Sequence, residues 1–134
     1  LAEGLADLVD HLVCLPTGPE VVTGSTRMKA GTATKLALNM ISTAAMVRRG
    51  KTWGHLMVDL AASNDKLVDR AERILMTTLG LDREAAGKAL NAADGRVKIA
   101  LVMQRLDVNR ETAERRLAET DGHLAPLIGP APGA

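Results

Sequence analysis

The residues of this chain that could do chemistry are concentrated at positions 18–32, which read GPEVVTGSTRMKAGT. Small hydroxylated residues, glycines and two cations stand here just before a long run with helical spacing. The first backbone N–H groups of a helix lack partners within the helix, and they attract anions. Cationic side chains beside them strengthen that attraction. The sequence therefore predicts an anion or phosphate site whose candidate contacts are Ser25, Thr26, Arg27, Lys29 and Thr32.

The same stretch also fits a purely structural interpretation. Ser and Thr are common helix caps, so Ser25 and Thr26 are compatible with a capped helix whose cations are solvated. Glu20 is the only carboxylate in the stretch, and a Glu can serve as the general base of an elimination. The alternative, which we favour, is that Glu20 pairs with Arg27 or Lys29, or accepts backbone N–H bonds that hold the loop.

The other potentially reactive residues show no arrangement for catalysis. The three histidines, His11, His55 and His123, lack the spacing of metal ligands. Cys14 is the only cysteine, and in its apolar setting we expect a small buried hydrophobe and not a nucleophile. The sequence therefore predicts no metal site from these residues.

Composition narrows the class of partner. The 134 residues carry 17 basic and 16 acidic side chains, a net charge of +1, which argues against nucleic acid or an anionic membrane. No run of about 18 apolar residues is present, so no transmembrane helix is expected. Residues 1–15 contain Glu3, Asp7 and Asp10 and lack the basic start of a signal peptide. We expect a cytoplasmic protein, a setting that suits a single cysteine.

The candidate site must be held by the elements on either side of it. Residues 9–15, which are rich in Val and Leu and followed by a proline, predict a short strand. The first helix is expected to begin with Ser25 or Thr26 as its N-cap and to end near Arg49, with Gly50 at the C′ position. Its expected buried stripe consists of Met28, Leu36, Met40 and Val47.

Helices dominate the pattern beyond this point. The apolar run at 56–60 fits either a short strand or a helical turn. A second helix is expected from a cap at Ser63 or Asn64 to about Leu79, closed by Gly80. Because aromatic residues make up only 1% of the chain, the core must be built from aliphatic side chains. We expect helices packed on helices.

The final third of the chain contains an internal repeat. Residues 81–95 and 108–122 share the order apolar, cap residue, Arg, Glu, x, Ala, three x, Leu, three x, Asp, Gly. Each copy predicts a helix with an Asp or Asn N-cap and a glycine stop. A further short helix is expected between them, which gives a small three-helix bundle similar to a ubiquitin-associated domain. Residues 129–134 are expected to form a disordered end.

A longer signature surrounds the candidate site: Gly-Pro-Glu at 18–20, followed by TGSTRMKAGTA at 23–33. It closely resembles the signature of N-acetylmuramic acid 6-phosphate etherases, and their relatives, the glucokinase regulatory proteins, carry a similar run. The resemblance continues through KLALNMIST, NDKL and ADGRVK. It covers most of residues 18–105.

The resemblance implies the C-terminal part of an α/β sugar-phosphate isomerase-type (SIS) domain over residues 1–80, followed by the helical bundle over 81–128. It also implies a lyase that cleaves the D-lactyl ether of N-acetylmuramic acid 6-phosphate. The products are N-acetylglucosamine 6-phosphate and D-lactate, in cell-wall sugar recycling, and the enzyme is a homodimer without metal or redox cofactor. The family's main acid and base are expected upstream of Leu1, so this chain alone is expected to be inactive.

Two other functions stay open at this stage. A sugar-phosphate-sensing regulator of the glucokinase-regulator type would bind the same class of ligand. A purely structural helical dimerisation module is the third possibility, because uncovered strands and apolar faces seek another surface. For the same reason we expect a homodimer or higher self-association. The ubiquitin-associated-like bundle by itself does not indicate ubiquitin binding, since a fold does not assign a function.

Overall fold

The computed structural model of this chain describes Gly4 and residues 8–133. These residues form six helices and two short strands, so the predicted mainly helical architecture is confirmed. The chain divides into two compact units after Thr43, whereas the sequence placed a boundary near residue 80. Two acidic residues that argued against a signal peptide, Glu3 and Asp7, lie outside the described residues.

The strand predicted at residues 9–15 is not formed. These residues follow an irregular path, and their apolar side chains and Cys14 are exposed. A strand is stable only beside a neighbour that completes its hydrogen bonds, and no described residue pairs with this segment. The strand prediction and the expected burial of Cys14 are therefore wrong for this chain.

Helix α1 spans Lys29–Arg48 and begins later than either predicted cap would place it. No residue of α1 is buried, so the predicted buried stripe is also wrong. Apolar side chains point to every side of this helix, and those of Leu36 and Met40 are 50% and 65% exposed. A helix that is apolar all round suits enclosure on several sides, and the described residues do not supply that enclosure.

The end of α1 follows the sequence prediction. Gly50 adopts a left-handed conformation, with φ of 66°. Its N–H donates to the Val47 carbonyl and the Lys51 N–H to the Met46 carbonyl, which is the Schellman arrangement with glycine at C′. A Cβ at this position would also lie 2.8 Å from the Gly122 carbonyl oxygen. Both the backbone angle and the close approach therefore require glycine.

A two-stranded hairpin follows α1 within the second unit. Strands β1 (Thr52–Trp53) and β2 (Leu56–Met57) pair antiparallel. The ambiguous run at 56–60 is therefore a short strand followed by residues without regular secondary structure. Helix α2 then spans Asp65–Leu79. Its N-cap is Asn64, whose side chain accepts the Leu67 N–H, and Gly80 closes it in a left-handed conformation. The predicted limits of this helix are confirmed.

The internal repeat predicts the next helices correctly. Helices α3 (Arg83–Ala92) and α5 (Arg110–Glu119) begin at Asp82 and Asn109, whose side chains accept a first-turn N–H. Each helix is followed, after its C-cap residue, by an Asp-Gly pair with positive φ. In each copy the glycine N–H donates to the carbonyl of the repeat's leucine. Helix α4 (Val97–Leu106) lies between them, and a short helix α6 (Ala125–Ile128) follows.

Helix α4 is the centre of the second unit. It contacts α2, α3, α5 and α6, and its residues from Val97 to Val102 are all buried. The core around it is aliphatic apart from Trp53, as the composition indicates. Its largest fully buried side chains are Leu75, Leu101, Leu124, Val58, Val97 and Val102.

The segment after α6 differs from the expected disordered end at 129–134. The Trp53 indole N–H donates to the Gly129 carbonyl at 3.0 Å, and Ala131 is buried. A buried indole N–H needs an acceptor, and this carbonyl supplies it. Gly129 and Ala131 therefore pack on the hairpin, while Ala134 lies outside the described residues.

Candidate functional site

Glu20 is bound to the start of α1. Its two carboxylate oxygens accept the backbone N–H groups of Lys29 and Ala30, each at 3.0 Å. A carboxylate is well suited to this place, because the exposed N–H groups and the helix dipole both favour negative charge. Glu20 thus caps α1 from nine residues upstream, in place of the predicted caps Ser25 and Thr26.

Lys29 makes a further connection between the loop and the start of α1. Its ammonium Nζ donates to the Pro19 carbonyl at 2.9 Å, while its backbone N–H is held by Glu20. Pro19 and Glu20 therefore both accept hydrogen bonds from the first turn of α1. In this structure the Lys29 ammonium serves the loop's own architecture, and the predicted ion pair between Glu20 and a cation is replaced by backbone hydrogen bonds.

The remaining first-turn N–H groups are also satisfied internally. The Gly31 N–H donates to the Thr26 carbonyl at 2.9 Å and the Thr32 N–H to the Met28 carbonyl at 3.2 Å. A Cβ at Gly31 would lie 3.1 Å from that Thr26 oxygen, which explains why a glycine suits this position. The backbone N–H groups at positions 29–32 therefore all have partners within the chain. The sequence predicted that unpaired N–H groups here would attract an anion, and the structure leaves none of these four unpaired.

The pKa of Glu20 is lowered from its ordinary value, chiefly by the hydrogen bonds from the Lys29 and Ala30 N–H groups and further by the Lys29 charge. A carboxylate with a lowered pKa is a weaker proton acceptor. The geometry and the pKa direction both favour the structural alternative for Glu20 over a role as general base.

We predict that Glu20→Gln loosens the first turn of α1. The amide can offer only one oxygen to two N–H groups, and it removes the negative charge at the helix dipole. Hydrogen exchange at Lys29 and Ala30 should show lower protection factors in the variant. In the parent chain this protection should persist above the lowered Glu20 pKa and be lost as the pH falls through it, whereas the variant should show no such step.

Glu84→Gln is the matched control, because Glu84 lies in the first turn of α3 and pairs with the Lys88 side chain instead of backbone N–H groups. It should leave exchange at Lys29 and Ala30 unchanged. Equal protection in the Glu20→Gln and parent chains across the pH range would contradict the capping role.

The loop between Glu20 and Lys29 carries most of the remaining candidate contacts. The Ser25 N–H donates to the Val22 carbonyl at 3.0 Å, forming a turn. Thr26 and Arg27 are exposed and Ser25 is half-buried. Within residues 8–133, no hydrogen bond engages these three side chains. Thr32 is exposed on the first turn of α1. The structure thus brings Ser25, Thr26 and Arg27 together on one anchored loop.

Two features of this site are not evident from the sequence. The cap was assigned to Ser25 or Thr26 because capping is usually local, whereas Glu20 reaches the helix across the loop. The position of Glu20 directly after Gly-Pro, a sequence that favours a turn, was the available signal. The close contact at Gly31 had no signal beyond the glycine itself.

Some classes of site have no support in the part of the chain that is described. No group of three or more His, Cys, Asp or Glu side chains there is placed to hold a metal ion. None of the helices described is both long and apolar enough to cross a membrane.

Curated relatives match nearly all of this chain. It is 53% identical over 119 residues, 89% of this chain, to a Salinibacter ruber protein named N-acetylmuramic acid 6-phosphate etherase. It is 50% identical over 129 residues, 96% of this chain, to the Streptomyces coelicolor protein of that name. This chain is homologous to N-acetylmuramic acid 6-phosphate etherases. The resemblance indicated by residues 18–33 is confirmed.

The etherase relatives are considerably longer than this chain. It spans 38% of the Salinibacter ruber etherase and 42% of the Streptomyces coelicolor etherase. A third etherase, from Prochlorococcus marinus, is 54% identical over 110 residues, with 35% of its length covered. No protein-family model matches the chain.

Proposed function

We propose that this chain is the C-terminal part of an N-acetylmuramic acid 6-phosphate etherase acting in the cytoplasm. The observation that carries the proposal is the identity of about half of all residues over most of the chain with proteins of that name. Residues 1–80 would belong to an SIS domain and residues 81–128 to a ubiquitin-associated-like bundle. The relatives' names favour the lyase over the sugar-phosphate-sensing regulator.

In this proposal the loop at 23–28 forms one wall of the phosphosugar site. Hydroxyls and a guanidinium are suitable partners for phosphate oxygens, and Arg can bind two of them at once. Ser25, Thr26 and Arg27 supply these groups, while Glu20 and Lys29 fix the loop that carries them. Fixing the loop before the ligand arrives reduces the entropy lost on binding.

The proposed reaction cleaves the ether that joins D-lactate to the sugar. It needs a positioned base, an acid for the leaving lactate oxygen and a holder for the phosphate. The described residues offer only the last of these. The proposal therefore assigns the base and the acid to the part of the enzyme that precedes this chain, and it requires no metal or redox cofactor.

We predict that the 134-residue chain alone releases no D-lactate from N-acetylmuramic acid 6-phosphate. The reason is the missing base and acid, since binding groups alone give little acceleration without them. The measurement is an enzymatic assay of D-lactate after prolonged incubation with the purified chain. Release that grows in proportion to the chain's concentration would place the catalytic groups within residues 1–134.

We also predict that the isolated chain self-associates. α1 and the segment before it expose many large apolar side chains, and exposed apolar surface favours association. Sedimentation velocity should give a weight that rises with concentration. Replacing Leu36 and Met40 together by Lys should reduce that rise, while Lys35→Ala on the same helix should not. A monomer at every concentration would contradict the prediction.

The proposed function is tested in a chimera, made by exchanging the matching segment of the Salinibacter ruber etherase for this chain. Calorimetric titration with the product N-acetylglucosamine 6-phosphate measures whether the anchored loop can serve a phosphosugar site. We expect saturable binding with an affinity within about tenfold of the unmodified etherase, a difference of about 1.4 kcal/mol. A folded chimera that binds no phosphosugar would overturn the proposal.

A further inference from the structure

Gly31 makes an unusual hydrogen bond in the first turn of α1. Its N–H donates to the Thr26 carbonyl at 2.9 Å, five residues back, whereas an α-helix uses the carbonyl four residues back. The next N–H, that of Thr32, already follows the α-helical pattern by donating to the Met28 carbonyl. The chain therefore makes one wide turn between the loop and the helix, and Arg27 lies within it. Such five-residue turns in helices are frequently found at functional sites.

The wide turn depends on a glycine at position 31. A Cβ there would lie 3.1 Å from the Thr26 carbonyl oxygen, so the oxygen would have to retreat by a few tenths of an ångström. The backbone angles do not require glycine, because Gly31 does not have a positive φ, and glycine is a poor helix former. The close approach of Thr26 is therefore the structural reason for a glycine here.

Three consecutive N–H groups of α1 hold both ends of the loop. Those at positions 29 and 30 hold the Glu20 carboxylate at its beginning, and that of Gly31 holds the Thr26 carbonyl at its end. Arg27 directly follows this second attachment, and its side chain is exposed. The hydrogen bond between Thr26 and Gly31 therefore spans Arg27 and restrains its backbone.

We propose that Gly31 is a positioning residue of the phosphosugar site, which keeps Arg27 outside the helix and in place for the phosphate. This role rests on the proposed function, because that function assigns the Arg27 guanidinium to the phosphate. A side chain at position 31 would push the Thr26 carbonyl away and favour the ordinary helical bond to the Arg27 carbonyl. Arg27 would then join the first turn of α1, and its guanidinium would leave the position that suits the ligand.

The 134-residue chain tests the local geometry without any ligand. In the Gly31→Ala variant we expect the carbonyl ¹³C NMR signals of Thr26 and Arg27 to shift, because one carbonyl loses the N–H of position 31 and the other gains it. Both signals should stay in place in Lys35→Ala, which alters an exposed position of the same helix outside the loop. Unchanged signals in Gly31→Ala would show that the wide turn tolerates a Cβ, which would contradict the proposal.

The effect on binding is measured by introducing Gly31→Ala into the chimera with the Salinibacter ruber etherase. Calorimetric titration with N-acetylglucosamine 6-phosphate should give a dissociation constant raised about 3- to 10-fold, a part of the loss expected when a charge-assisted hydrogen bond is removed altogether. Alanine is the better helix former, so the midpoint of thermal unfolding should stay the same or rise. A loss of affinity accompanied by a clearly lower midpoint would assign Gly31 to the stability of the fold and overturn the positioning role.

A double-mutant cycle with Arg27→Ala tests whether Gly31 acts through the guanidinium. In the Arg27→Ala background, Gly31→Ala should change the dissociation constant less than about twofold, because the group that it displaces is gone. Independent sites would instead multiply their effects. Lys35→Ala is the matched control and should change the affinity less than about twofold in either background.

The results separate this role from the proposed function. A folded parent chimera that binds no phosphosugar overturns the proposed function, and this role with it. A parent chimera that binds, together with a Gly31→Ala form of equal affinity, overturns this role alone. Multiplicative effects of Gly31→Ala and Arg27→Ala also overturn it, because Gly31 would then act independently of Arg27.

Discussion

Arg27→Ala, introduced into the etherase chimera, is expected to weaken binding of N-acetylglucosamine 6-phosphate by about 1–3 kcal/mol, the scale of a hydrogen bond to a charged group. Arg27 lies on the loop that Glu20 and Lys29 fasten to α1, and its side chain is exposed. A guanidinium on a fixed loop can meet a phosphate with little further ordering. Calorimetric titration of the parent and variant chimeras measures the difference.

Two further variants test whether the loss of affinity is specific to Arg27. Lys35→Ala removes an exposed cation from α1, outside the loop, and should leave the affinity nearly unchanged. Glu20→Gln should weaken binding less than Arg27→Ala, because Glu20 acts on the loop and not on the ligand. Equal affinity of the parent and Arg27→Ala chimeras would remove Arg27 from the phosphosugar site.

Leu101→Ala is expected to lower the free energy of unfolding of the chain by about 2–5 kcal/mol, the range for a large aliphatic side chain deleted from a packed core. Leu101 lies at the centre of α4 and is completely buried. Its loss leaves a cavity that the neighbouring helices can fill only in part. Urea unfolding followed by circular dichroism measures the change, at a fixed protein concentration.

Val21→Ala is the control for this core prediction. Val21 is 81% exposed, so its truncation should alter the free energy of unfolding by no more than about 0.5 kcal/mol, the usual limit at the surface. A Leu101→Ala variant as stable as Val21→Ala would show that α4 is not the centre of the core.

The sequence predicted the second unit well because its signals are local. A cap residue, the apolar spacing and a glycine stop define α2 within its own residues. The repeat adds a second copy of the same signals for α3 and α5. Where several local preferences agree, the structure usually follows them.

The first unit was predicted less well because its structure depends on distant partners. The strand at 9–15 and the buried stripe of α1 both assume surfaces that the described residues do not provide. The cap at Lys29 depends on Glu20, which lies outside the window that capping rules consider. One prediction for the second unit is wrong for the same reason. The tail was expected to be disordered because Gly and Pro dominate it, whereas Trp53, which is distant in sequence, holds it through the Gly129 carbonyl.

The candidate site shows the same division. The residue types at 23–32 predict an anion-binding loop, and that assignment stays a prediction. The separate roles of the residues within the loop could be assigned only from the structure. Only the structure separates Glu20 and Lys29, which hold the loop, from Ser25, Thr26 and Arg27, which it leaves available.

The most direct test of the proposed function is the release of D-lactate from N-acetylmuramic acid 6-phosphate by the chimera, in which the Salinibacter ruber etherase supplies the preceding part. We expect D-lactate release by the chimera, reduced release by its Arg27→Ala form at subsaturating substrate, and none by this chain alone. A chimera that is folded and binds the product, yet releases no D-lactate, would contradict the claim that this chain completes an etherase.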